Sequence, residues 1–148
     1  MTNSKLTWWL RIVGVFYLLQ FVAMAFVHAP IRTFGPPGVL ARADAGDETA
    51  SFLVDTWFTF GCEVAAVGAC LLIASRRPLL VEGVTWTVLA IEVVRGILND
   101  VYMIARGIDV PGYLIWIVIH SVVIVTGLRS LRAADGSLTP AGAPSRSA

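Results

Sequence analysis

Four long apolar runs divide the chain, and each is interrupted near its middle by polar or ionisable side chains. About 20 apolar residues in an α-helix cross the ~30 Å hydrocarbon layer of a bilayer. The runs lie at residues 8–28, 52–74, 79–104 and 111–131. Pro30 closes the first, Ser75-Arg76-Arg77-Pro78 the second and Arg106-Gly107 the third; Pro111 suits the first turn of the fourth. This pattern predicts an all-α fold: a four-transmembrane-helix bundle, antiparallel and up-down-up-down, forming a single domain over residues 1–131. The outer loop, residues 29–51, carries Gly35-Pro36-Pro37-Gly38 and then Asp44, Asp47 and Glu48. Thr49 or Ser51 is the expected cap of the second helix. Residues 132–148, in which Ala, Gly, Ser and Pro are prominent, read as a disordered cytoplasmic tail.

The interrupting polar residues fall into two layers. At mid-depth the first helix offers Tyr17 and Gln20, the second Glu63, the third Glu92 and Arg95, and the fourth His120. Nearer the outer end lie His28, Asp55, Asn99, Asp100 and Tyr102. Charged groups are costly in hydrocarbon, so they turn toward one another or toward a cavity. Glu92 and Arg95, three apart, can pair within their helix, and Arg95 can also reach Glu63. Glu92, Arg95, Asn99 and Arg106 form one stripe at helical spacing, with Asp100 at its margin. That stripe suggests a cavity wall open outward. The bland alternative is a set of structural hydrogen bonds, yet interhelical bonds in membranes average well under 1–2 kcal/mol. Stability alone is therefore a poor reason for so many charges.

Composition agrees with a membrane protein: 57% of residues are hydrophobic and only 14% charged, against about 25% charged in soluble domains. The net charge of +1 gives no field for nucleic acid. Basic residues set the orientation. Lys5, Arg11, Arg76, Arg77, Arg129, Arg132 and Arg146 share one side, and Arg32, Arg42 and Arg106 the other. Both termini are thus expected in the cytoplasm, with Trp8, Trp9 and Tyr113 as interfacial anchors. A cleavable leader ending near Ala23-Met24-Ala25 is the competing reading of the N-terminus. Against it, the apolar run continues to Val27, and Tyr17 and Gln20 have more use in a bundle.

Small residues on the second helix, Gly61, Ala65 and Ala69 at every fourth position, suit close helix contact within the chain or in a homo-oligomer. Cys62 and Cys70 lie eight apart, roughly 12 Å along a helix, too far for a disulfide, and read as small packing residues. Thr56-Trp57 with Glu63-Val64 echoes Thr85-Trp86 with Glu92-Val93. An inverted repeat and coincidence explain this equally well.

No Gly-rich phosphate loop, nucleophile elbow or Cys-x-x-Cys motif occurs. No metal or other cofactor is expected: the Glu-x-x-His pair of di-iron bundles is missing, and His28 and His120 differ in depth by roughly 13 Å, too far for a shared haem. General acid–base chemistry fits better, with Glu63, Glu92, Asp100 and His120 as candidate catalytic groups.

Several blocks then suggest a family. Trp8-Trp9-Leu10-Arg11-Ile12-Val13-Gly14 with Phe16-Tyr17 and Asp55-Thr56-Trp57-Phe58 resemble the BphX-like family of small bacterial membrane proteins. So do Glu92-Val93-Val94-Arg95-Gly96-Ile97, Asp100-Val101-Tyr102-Met103-Ile104-Ala105-Arg106-Gly107 and Trp116-Ile117-Val118-Ile119-His120-Ser121. The likeness covers residues 8–131 and excludes the outer loop and the tail. It implies a multi-pass protein of the bacterial inner membrane, linked to hydrophobic aromatic compounds by the family's occurrence near aromatic-degradation genes. It carries over no catalytic residue.

The expected function is binding or passage of a small hydrophobic, aromatic molecule. Its site would be built from Tyr17, Gln20, Asp55, Glu63, Glu92, Arg95, Asn99, Asp100, Tyr102 and His120. One alternative is a membrane-embedded acid–base enzyme, an isomerase or hydrolase, acting on a lipophilic substrate. Another is a non-catalytic scaffold whose polar layer only specifies assembly.

Overall fold

The computed structural model describes residues 4–135; within them every regular element is helical and no strand occurs. The elements are α1 (Ser4–Ala25), α2 (Ala29–Phe34), α3 (Val39–Asp44), α4 (Glu48–Ala74), α5 (Val81–Ile91), a π-helical segment (Glu92–Ile97), α6 (Leu98–Ala105) and α7 (Val110–Asp135). Three helices are long and apolar enough to cross a membrane: α1, α4 and residues Val110–Ala134 of α7. The third apolar run folds as α5, the π segment and α6, which follow one another without a loop. Residues 132–135 of the expected disordered tail are helical, because α7 continues to Asp135; residues 136–148 lie outside the described residues.

The chain packs as two units, Leu10–Arg77 and the remainder. Within the first, glycine sets how closely α1 and α4 cross. A Cβ on Gly68 would lie 2.8 Å from the Gly14 carbonyl oxygen, and one on Gly14 would lie 3.0 Å from the Gly68 carbonyl oxygen. Further along, a Cβ on Gly61 would meet Phe21 and Met24. Position numbers rise along one helix as they fall along the other, so the pair is antiparallel. The close contacts fall on Gly61 and Gly68, seven apart, whereas Cys62, Ala69 and Cys70 are exposed. The cysteines are therefore not packing residues of this crossing. Of the small stripe expected on α4, Gly61 is buried, Ala65 half-buried and Ala69 exposed.

Residues 29–51 are not a simple loop. They form α2 and α3, and Ile31, Val39 and Ala50 make a small buried cluster with Leu40, Ala43, Leu53, Val54 and Trp57 around it. The turn chemistry follows from the sequence: Pro30 sits in the first turn of α2, and Gly38 and Gly46 take positive φ. The cap of α4 is Asp47 rather than Thr49 or Ser51. Its Oδ1 accepts a 2.8 Å hydrogen bond from the Ala50 amide, which stabilises an otherwise unsatisfied first-turn donor. Asp47→Ala is expected to lower stability by about 1 kcal/mol, readable as a reduced melting temperature in detergent.

The second unit joins the start of α1 to α5, α6 and α7. Trp9 Nε1 donates to Thr126 Oγ1 at 3.0 Å. A Cβ on Gly127 would lie 2.8 Å from both Leu89 and Trp9. Leu89 meets Gly127 and Gly96 meets His120, so α7 runs antiparallel to the helix it packs on. Along that helix Val81, Thr85, Val88, Leu89, Glu92, Gly96 and Asp100 are buried. Val93, Val94, Leu98 and Val101 point outward.

Candidate functional site

The buried face of this helix pair carries three ionisable side chains in contact. Glu92 opens the π segment and Asp100 lies in the first turn of α6. Glu92 is 2% exposed and Asp100 4%. His120 comes from the middle of α7 and lies between them. Its Nδ1 is 2.5 Å from Glu92 Oε2, and its Nε2 is 3.6 Å from Asp100 Oδ2. That second separation exceeds a hydrogen bond, and Asp100 Oδ2 is buried with no hydrogen-bond partner. A buried acceptor left in that state costs roughly 1–3 kcal/mol.

Two local features make the arrangement possible. The first is the π segment. In it each backbone hydrogen-bonded ring is one residue wider than in an α-helix, so side chains four apart stay nearly in line. Glu92, Gly96 and Asp100 thereby share one face. The segment contains β-branched Val93 and Val94 and then Gly96, all poorer helix formers than Ala or Leu. The second feature is Gly96 itself. A Cβ there would lie 2.6 Å from His120 Cγ and Nδ1, so the imidazole rests directly on the helix backbone. Only glycine leaves that space. Trp116, one turn earlier on α7, flanks the ring with centroids 6.0 Å apart, and Asp100 also acts electrostatically on Tyr113.

The other expected site residues are distributed differently. Arg95 is half-buried on the π segment, and Asn99 and Tyr102 are exposed on α6. Tyr102 accepts a 3.0 Å hydrogen bond from Arg106. Thus the stripe expected through Arg95, Asn99 and Arg106 is not the buried one; the wider π turn brings Asp100 inward in place of Asn99. Tyr17 is buried against Gly68 and Gln20 is half-buried, both on α1; Glu63 and Asp55 are exposed on α4. These four belong to the unit Leu10–Arg77, whereas Glu92, Asp100 and His120 belong to the other.

Sequence reasoning passed over three members of this region. Gly96 is one, and its signal in the sequence is the four-residue repeat Glu92-x-x-x-Gly96-x-x-x-Asp100. Thr85 is fully buried and donates to the Val81 carbonyl at 2.7 Å. The Trp9–Thr126 bond had no signal, because its partners are 117 residues apart.

The geometry speaks to chemistry. An imidazole with a carboxylate at each nitrogen can take a proton on one side and release it on the other. It cannot also gather both carboxylates around one cation, since they lie at opposite edges of the ring. Among the described residues no group of three or more His, Cys, Asp or Glu side chains is placed to hold a metal ion.

Comparison with known proteins agrees with the blocks read from the sequence. The profile of the BphX-like family matches residues 3–136. The chain belongs to the BphX-like family. Two relatives, each named an uncharacterized BphX-like protein, come from Burkholderia cepacia and Paraburkholderia xenovorans strain LB400. Each is 32% identical over 136 residues, covering 90% of this chain and 94% of the relative. No solved structure matches. The BphX-like match includes all three residues of the buried centre, along with Gly96.

Proposed function

We propose that this BphX-like chain is a multi-pass protein of the bacterial inner membrane that binds or passes a small hydrophobic molecule at the Glu92–His120–Asp100 centre. In this reading α5, the π segment and α6 complete a fourth span, and the four spans alternate in direction with both termini in the cytoplasm. Three helices of spanning length and apolarity support it, as does the excess of basic residues beside the ends assigned to the cytoplasm. Ionisable groups at such depth ordinarily mark a ligand or ion site.

The observation that carries the reading is the buried oxygen of Asp100 without a hydrogen-bond donor. A ligand bearing an O–H or N–H group satisfies it, while the surrounding apolar helix faces accept the rest of the molecule. Aromatic compounds are the first class to test, because of the family's genomic association. A panel of such molecules is expected to raise the melting temperature of the detergent-solubilised protein. Saturation at a hundred times Kd corresponds to about 2.7 kcal/mol. The same panel should act less on Asp100→Asn. If no compound shifts the wild-type melt, the binding reading fails.

The acid–base arrangement of His120 supports a second reading, an enzyme working on a lipophilic substrate. In that case turnover requires Glu92, and activity surviving in Glu92→Gln removes the idea.

A further inference from the structure

We propose that Glu92, His120 and Asp100 form a proton relay through which protons cross the membrane. The inference rests on the membrane-spanning reading above and goes beyond ligand binding.

Three observations point to it. First, the imidazole is addressed at both nitrogens, by Glu92 at Nδ1 and Asp100 at Nε2. A purely structural ion pair needs one such contact. Second, the Asp100 contact is left open at 3.6 Å with its oxygen otherwise unbonded. A small rotation of either side chain brings it to the ~2.8 Å of a hydrogen bond, so the donor and acceptor are arranged for intermittent contact. Third, Glu92 and Asp100 stand eight residues apart on one helix, their backbones roughly 10–12 Å apart along its axis. With contacts of 2.5 and 3.6 Å at its two nitrogens, His120 carries a path across about a quarter of the ~30 Å hydrocarbon layer. The π segment and the bare backbone at Gly96 are what let the ring lie in line between them.

The transfer balances without any further reagent. It starts with Glu92 as the carboxylic acid, His120 protonated on Nε2, and Asp100 as the carboxylate. The proton on Glu92 Oε2 moves to Nδ1, and the proton on Nε2 moves to Asp100 Oδ2. Glu92 is then the carboxylate, His120 carries its proton on Nδ1, and Asp100 is the acid; the total charge is unchanged. Asp100 releases its proton to water at the end of the helix pair where α6 meets α7, and Glu92 takes one from water entering from the opposite end. A water molecule that takes the proton from Nδ1 and returns one to Nε2 moves the imidazole back to its first tautomer and restores the first state.

The test uses the full-length chain reconstituted in sealed phosphatidylethanolamine–phosphatidylglycerol vesicles loaded with pyranine. A potassium gradient with valinomycin supplies the driving voltage. Wild-type vesicles are expected to change internal pH faster than protein-free vesicles. Asp100→Asn should fall to the protein-free rate, Asp100→Glu should recover part of the flux, and His28→Gln should match wild type. Each protein is checked for an unchanged circular dichroism spectrum before comparison, and His120→Gln replaces Asp100→Asn if the latter does not fold. Wild-type vesicles as tight as protein-free ones would overturn the relay, as would equal flux in wild type and both neutral variants. A melting shift with aromatic ligands but no flux leaves the binding reading standing and removes this one.

Discussion

Glu92→Leu is expected to cost about 3 kcal/mol of stability, the upper end of the scale for leaving a buried hydrogen-bonding group without its partner. Leucine has a similar size but offers nothing to His120 Nδ1, whose partner at 2.5 Å is the Glu92 carboxylate. The imidazole then has one open contact, to Asp100, and one missing contact. For a chain of this length, the loss corresponds to a fall of about 10 °C in melting temperature. Tryptophan fluorescence in detergent follows it, with Trp116 beside His120 as a local reporter. Glu92→Gln keeps an acceptor oxygen and should lose distinctly less. Equal melts for wild type and Glu92→Leu would show that this contact contributes nothing to the fold.

The second large effect comes from adding one methyl group. In Gly96→Ala the new Cβ would sit 2.6 Å from two atoms of the His120 ring, closer than atoms in contact approach. The ring cannot yield easily, because Glu92 holds Nδ1 and Trp116 flanks it. The overpacking is expected to cost about 1–3 kcal/mol. A double-mutant cycle distinguishes this from a general effect of alanine in a helix. With His120→Ala in the background the methyl group has room, so most of the penalty should vanish. A Gly96→Ala cost that is the same with and without His120 would mean that the close approach of ring and backbone is not the cause.

How much of this was legible beforehand depends on the kind of interaction. The apolar runs needed only composition and length, and α1, α4 and α7 occupy three of them. Pro111 in the first turn of α7 and the stop at Ser75-Arg76-Arg77-Pro78 were local signals, and the helices obey them. Glu92, His120 and Asp100 could be nominated because ionisable residues are rare in such runs. Their assembly could not be read, because it depends on the π turn. A constant 3.6-residue period places Asn99 with Glu92 and Asp100 at the margin; the wider turn reverses them. The helices α2 and α3 were hidden for another reason. Their core, Ile31, Val39 and Ala50, is assembled from isolated apolar residues between glycines and prolines, with no run long enough to show a period.

The π segment also separates two properties that usually travel together along a helix. Deleting one residue from it, so that the stretch closes into an ordinary α-helix, would leave the apolar character of positions 81–105 almost unchanged and put Asp100 seven residues after Glu92, still on the shared face. Closing the same turn without the deletion would put Asn99 there instead and leave the imidazole a single companion. Two chains with indistinguishable hydropathy traces can therefore differ in whether they possess this centre at all, and the match between helix type and the spacing from Glu92 to Asp100 is where that difference is written.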